Sequence, residues 1–183
     1  LLICDEVQTG LGRTGRLLAC EHEGVTPDGL ILGKALGGGL LPVSAFLGRR
    51  DVMQAFTPGS HGSTFGGNPV AAIAGLAVIA VIERDGLLDH AKALGDHLAR
   101  VILELDHRLI TGVRGRGRLQ AVILAQPSAT AVVDAALAAG FVINAPRPDV
   151  LRLAPPLIIS AAEIDSFIGV LPSLLDKAAE ESR

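Results

Sequence analysis

A chain of 183 residues, 49% of them hydrophobic, is long enough to bury a real core, and its net charge of −3 offers no electrostatic pull on nucleic acid or an anionic membrane. Aromatic residues make up only 3%, with no Trp and no Tyr, so the core has to be built from Ala, Val, Ile and Leu. Cys4 and Cys20 make no disulfide framework and read as small core residues of a cytoplasmic protein, and the longest apolar stretch, 70–82, is too short for a bilayer, which needs about 20 residues.

Residues 1–4 form a continuous apolar run, the pattern of a strand covered on both faces, closed by Asp5. The chain starts inside that run without an initiator Met, and is expected to be the carboxyl-terminal part of something longer. A short helical segment is predicted over 17–23, and Pro27-Asp28-Gly29 turns into a second apolar run, 30–32. Strand, crossover and strand in this order read as a parallel pair with a right-handed connection. The Gly37-Gly38-Gly39 turn is short, so the run 43–47 is predicted to return antiparallel, and Asp51 to cap a brief helix reaching Phe56. Residues 58–67 are loop. Asn68 then reads as an N-cap with Pro69 in the first helical position, where its missing N–H costs nothing. The helix it opens, 70–83, is apolar all round and is expected to be buried.

The texture changes after Arg84-Asp85-Gly86. An amphipathic helix is predicted over 87–105, a strand over 120–124, a helix over 128–139 stopped by Gly140, and short strands over 141–143 and 150–153. Ser160-Ala161-Ala162-Glu163 is a capping box opening the last helix. Residues 1–85 therefore read as the end of a larger α/β domain and 86–183 as a small α/β domain.

One residue carries most of the chemical information. Lys34 is one of three lysines against thirteen arginines, and it stands where the second apolar run opens onto glycine. Ligands of open α/β sheets collect outside the carboxyl ends of the strands, which is where Asp5 and Lys34 fall. An amine nucleophile and a carboxylate on neighbouring strand ends suit a pyridoxal phosphate (PLP) site. Such a site needs a lysine for the cofactor's aldehyde, a carboxylate to keep the pyridine nitrogen protonated, and N–H and hydroxyl groups for the phosphate. Lys34, Asp5 and the Ser63-Thr64 loop match those needs. Taken singly, Lys34 also reads as a surface amine beside a turn, and Asp5 as a strand-end cap or ion-pair partner.

The wider pattern separates these readings. Asp5-Glu6-Val7-Gln8-Thr9-Gly10-Leu11-Gly12-Arg13-Thr14-Gly15, the Lys34 segment and His61-Gly62-Ser63-Thr64-Phe65-Gly66-Gly67-Asn68-Pro69 closely resemble the signatures of class III (ω-) aminotransferases, in the same order and spacing. The resemblance extends to Leu151-Arg152-Leu153-Ala154-Pro155-Pro156-Leu157. It implies an α/β, PLP-dependent transferase of fold type I, represented by the carboxyl-terminal part of the large, mainly parallel-sheet domain and by the small domain. It also implies roles. Asp5 would pair with the pyridine nitrogen, Val7 would pack on one ring face, and Gln8 would lie near the phenolic oxygen. Lys34 would hold the cofactor and, once released, shuttle a proton. Thr64 would hydrogen-bond the phosphate of the neighbouring subunit's cofactor, since family members build two sites across a dimer interface, and Arg152 would clamp a substrate carboxylate bidentately.

Other features read as structural. His61 is expected to pack or hydrogen-bond in its loop, and His22, His90, His97 and His107 show no metal-ligand spacing. Arg114-Gly115-Arg116-Gly117-Arg118 lacks the interleaved aromatics of a single-strand nucleic-acid binder and is expected to be a turn entering a strand.

Residues 17–25 and 32–45 look most like ornithine aminotransferases, which move the δ-amino group of ornithine to 2-oxoglutarate. Val142-Ile143-Asn144-Ala145 with Asp149-Val150 would also suit acetylornithine aminotransferases. The family's phosphate turn, its second ring-stacking aromatic and its acidic switch residue lie upstream of Leu1. The chain is therefore expected to be inactive alone and to work within a full-length homodimer or beside an amino-terminal half. The alternative is a non-catalytic remnant serving at most as an assembly partner.

Overall fold

The computed structural model describes residues 1–181, which divide into two compact units, the first Leu1–Leu88 and the second beginning at Asp89.

In the first unit, β1 (Ile3–Asp5) and β2 (Gly29–Leu32) pair in parallel, with Asp5 opposite Ile31, and β3 (Ala45–Gly48) returns antiparallel along β2. The crossover from β1 to β2 holds a short 3₁₀ turn, Ala19–Glu23, ended by Gly24 at φ 62°. A second 3₁₀ turn, Lys34–Gly37, follows β2. β1 is an edge strand here, and Leu2 and Ile3 stay about half exposed rather than covered on both faces. Cys4 and Cys20 are free and half-buried.

Helix α1 (Arg50–Met53) is shorter than expected, and Asp51 does not cap it. Its carboxylate instead takes the Arg49 guanidinium in two hydrogen bonds, at 3.0 and 2.6 Å. Helix α2 (Pro69–Arg84) begins as the sequence predicts, with Asn68 Oδ1 accepting from the Ala71 N–H at 2.9 Å. Its burial is not as expected. Gly75 rests on Leu36, and only Ala71, Gly75 and Ile82 are buried, while Val70, Ile73 and Leu76 are each about two-thirds exposed. An all-round apolar pattern says that a helix can be covered on every side, not that one compact unit supplies the neighbours.

The second unit is a four-stranded antiparallel sheet in the order β4-β5-β7-β6, formed by β4 (Ile110–Arg116), β5 (Leu119–Leu124), β6 (Asn144–Arg147) and β7 (Val150–Leu153). Helices α3 (Leu87–Glu104), α4 (Ala129–Ala138) and α5 (Ala161–Glu181) supply the rest of its core. Val122 and Leu151, opposite one another on β5 and β7, are fully buried with Ile102, Val132, Leu171 and Leu175. The period-two alternation of strand side chains leaves Arg152 on the other face from Leu151 and Leu153. On α3, ion pairs at i,i+4 spacing (Lys92–Asp96 and Arg100–Glu104) mark the solvated side. The box at the head of α5 forms as read, with Ser160 N–H donating to Glu163 Oε2 at 2.8 Å and Glu163 N–H to Ser160 Oγ at 3.2 Å.

Two elements of the second unit depart from expectation. The arginine-glycine run is mostly strand: Arg114 and Arg116 lie in β4, and only Gly117 and Arg118 make the turn. Arg118 is fully buried, donating to the carbonyl oxygens of Pro156 and, at 3.4 Å, Ile159. The strand expected at 141–143 forms three residues later, as β6. Phe141 and Ile143 pack against the core instead, Phe141 meeting Phe167 edge-on at 5.4 Å.

Candidate active site

In the first unit, the chemistry gathers on the loops that leave β1 and β2. The Glu6 N–H donates to Ile31 O at 2.9 Å, carrying the parallel pairing one residue past Asp5. The chain then turns back, the Gly10 N–H donating to Glu6 O at 2.9 Å. This brings Gln8 within reach of Lys34, two residues past the end of β2. Lys34 Nζ donates to Gln8 Oε1 at 3.2 Å. Lys34 has φ 43°, in the left-handed region that costs a non-glycine residue about 1–2 kcal/mol. Its exposed amine is thus set by a strained backbone directly after the extended Gly33.

Asp5, the last residue of β1, is exposed, and its Oδ1 accepts from the Val7 N–H at 3.0 Å. Among the described residues nothing donates to its Oδ2. Val7 is half-buried, within reach of Gly33, where an added Cβ would meet its methyl groups at 3.4 and 3.6 Å.

Glu6, not singled out from sequence, is the anchor of this loop. Its carboxylate is buried and accepts from the Thr9 hydroxyl and from the Cys20 N–H at 2.8 Å. Burial pushes the carboxyl up, but these bonds and one from the Ala19 N–H outweigh it and hold the group below its ordinary 4.5. Burial and the Glu6 charge in turn push the Cys20 thiol up. The signal was an acidic residue between a strand end and an apolar position, which the alternation of a strand would turn inward.

The other expected residues of the first unit make no hydrogen bond to this group among the described residues. Ser63 and Thr64 lie on an exposed loop, where Ser63 Oγ accepts from the Gly66 N–H at 3.0 Å. Among the described residues Thr64 has no hydrogen bond. His61 packs edge-on against Phe56 at 5.8 Å. Arg152 belongs to the second unit, on β7, where its Nε donates to Asn144 Oδ1 at 2.9 Å and it borders a cavity of about 320 Å³. Among the described residues no cluster of three metal-ligating side chains occurs, and no helix is long and apolar enough to cross a membrane.

The donor set fits PLP: an amine for the aldehyde, an open carboxylate oxygen for the ring nitrogen and an apolar Val7 beside them. Lys34, just past the end of β2, and Asp5, the last residue of β1, thus lie at the carboxyl ends of two parallel strands of an α/β protein. Residues 1–175 match the family described as aminotransferase class-III, and the chain belongs to that family, whose members use PLP in a fold of type I. It is 52% identical over 182 residues to the acetylornithine aminotransferase of Mycolicibacterium smegmatis, covering 100% of this chain and 46% of that one. It is 45% identical to the ornithine aminotransferase of Bacillus cereus strain Q1, covering 90% of this chain and 41% of the relative. Among solved structures, it matches a Toxoplasma gondii ornithine aminotransferase, described with partial occupancy of PLP at its active site, at a TM-score of 0.91 and 38% identity, over 100% of this chain and 45% of that one. The chain spans about half the length of the relatives it matches.

Proposed function

We propose that this chain supplies the carboxyl-terminal half of a PLP-dependent transaminase acting on the δ-amino group of ornithine, with 2-oxoglutarate as acceptor and glutamate semialdehyde and glutamate as products. The observation that carries the reading is the meeting of Lys34 and Gln8 past the carboxyl ends of β2 and β1, the latter ending in Asp5. Residues 1–85 would belong to the large domain and 86–183 to the small one. The division near Leu88 supports that boundary.

When bound, PLP supplies the electron sink that lets a carbon next to the amino group give up its proton. Lys34 Nζ holds the cofactor, then takes that proton and returns it at a new position. The Asp5 carboxylate keeps a positive charge on the nitrogen facing it, and Gln8 steadies the lysine amine. Val7 gives the ring an apolar face that excludes water. Ser63 and Thr64 offer hydroxyl groups to a phosphate. Arg152 takes a carboxylate of the amino or oxo acid, which a planar guanidinium does better than a lysine.

A second donor has a specific observation in its favour. The acetylornithine aminotransferase of M. smegmatis is more similar than the ornithine enzyme of B. cereus, at 52% against 45% identity. Both donors present the same δ-amine and differ only at the α-nitrogen, charged in one and acylated in the other. Steady-state assays with ornithine and N-acetylornithine, each with 2-oxoglutarate, separate them. The expected result is turnover of ornithine with the higher kcat/KM, and the reverse order would transfer the assignment to acetylornithine.

The reading also requires a partner. The chain is a cytoplasmic protein that works joined to, or assembled with, an amino-terminal half in a dimer, and alone it binds PLP poorly. Wild-type turnover by the isolated 183 residues would sink this part.

A further inference from the structure

We infer that Asn144 is a positioning residue that sets the guanidinium of Arg152 for an end-on carboxylate, a step that rests on the clamp reading of Arg152 above. Asn144 and Arg152 face one another across the β6–β7 pair, so their side chains share one face of the sheet. Arg152 Nε donates to Asn144 Oδ1 at 2.9 Å, an ordinary length for an N–H···O bond.

The choice of donor matters. A guanidinium has five N–H groups in one plane, and tying down Nε fixes that plane. It also occupies the side-on fork made by Nε and one terminal nitrogen. What is left is the end-on fork of Nη1 and Nη2, and no described residue accepts from either. Two parallel bonds from that fork are what a carboxylate takes best. Holding the side chain in advance also removes part of the rotamer entropy that binding would otherwise cost.

The residue type fits as closely as the geometry. An aspartate opposite Arg152 would hold the same nitrogen but neutralise the charge the substrate needs. Asparagine holds without quenching. Both residues border the cavity of about 320 Å³, whose apolar wall includes Phe141, Ile143 and Leu153, and a charge-assisted bond gains strength beside such a wall. β6 is an edge strand whose register shifts between Asn144 and Arg147, a device that re-aims a side chain next to a site.

The test is a double-mutant cycle in the assembled enzyme, with 2-oxoglutarate as the varied substrate. Arg152→Lys should raise its KM, and Asn144→Ala should raise it roughly fivefold to fiftyfold with kcat changed less than about twofold, the loss expected of one charge-assisted bond. In the Arg152→Lys background, which has no Nε to hold, Asn144→Ala should add less than about twofold. A second readout needs neither activity nor a folded variant. In 15N–1H spectra of the assembled wild-type enzyme, the Arg152 Nε–H should exchange slowly with water, as a bonded proton does. A KM unmoved by Asn144→Ala beside a raised one for Arg152→Lys overturns the inference alone, as does full additivity or a fast-exchanging Nε–H. A KM unmoved by Arg152→Lys overturns the clamp reading beneath it.

Discussion

Lys34 donates from Nζ to Gln8 Oε1 at 3.2 Å, so two residues that are 26 positions apart meet at the ends of adjacent parallel strands. Parallel pairing makes this possible, because it brings both carboxyl ends to one edge of the sheet. The left-handed φ of Lys34 breaks the strand sharply after Gly33 and leaves the amine exposed at that edge. Gln8 reaches the amine because Glu6, one turn below, is pinned to the Cys20 backbone.

That pin has a pH signature. The Glu6 carboxyl lies below its ordinary 4.5 in the folded chain, so its stabilisation is fully present above that value and is lost as pH falls beneath it. Glu6→Gln keeps the shape, and its Oε1 can still accept from the Cys20 N–H while its N–H₂ meets the Thr9 hydroxyl, but it removes the charge that strengthens each of these bonds. The expected result is a loss of about 1–3 kcal/mol at neutral pH, with a shallower fall of Tm below pH 4.5 than in the wild type. Thermal melts between pH 3 and 7 measure both.

In the second unit, α3 touches the β4–β5 hairpin at a point where only glycine fits. A Cβ on Gly95 would stand 2.1 Å from the Gly117 carbonyl oxygen, and the buried Gln120 amide donates to that same oxygen at 2.9 Å. Backbone on both sides leaves no flexible side chain to yield. Gly95→Ala should cost about 2–3 kcal/mol and lower the melting temperature of this unit by roughly 10 °C or more. Calorimetry of the two proteins gives the difference directly.

Much of this was legible. An apolar run closed by Asp5, another opening at Lys34, and the Asn68-Pro69 start of α2 each carry their own punctuation. β4 was not legible, because Thr111-Gly112-Val113-Arg114-Gly115-Arg116 has neither an apolar run nor a clean alternation, and its pairing with β5 decides it. β6 was misplaced because apolar Phe141-Val142-Ile143 outbids Asn144-Ala145-Pro146-Arg147 on pattern, although an edge strand tolerates proline. The partners of Lys34 were legible only in part. Asp5 and Gln8 share one motif that resembles the family together with the separate Lys34 segment, whereas the anchoring by Glu6 depends on a contact with Cys20 that no spacing announces.

The cap on α2 gives a local prediction. Asn68 Oδ1 satisfies the Ala71 N–H, one of the otherwise unpaired first-turn donors. Asn68→Ala should cost about 1 kcal/mol and speed hydrogen exchange of the Ala71 amide, while leaving the α5 amides unchanged. Amide exchange by NMR separates a frayed first turn from a general loss of stability.

The central claim is that Lys34 is the amine that holds the cofactor in an assembled site. The direct measurement is to incubate the chain with PLP, with and without an amino-terminal half, reduce with borohydride and map the pyridoxyl mass by peptide. With no Trp or Tyr, the chain leaves the near ultraviolet clear for following binding. The expected result is label confined to Lys34 and much stronger with the other half present. Label scattered over Lys34, Lys92 and Lys177 in both samples would contradict the account, and the chain would then be a remnant without a formed site.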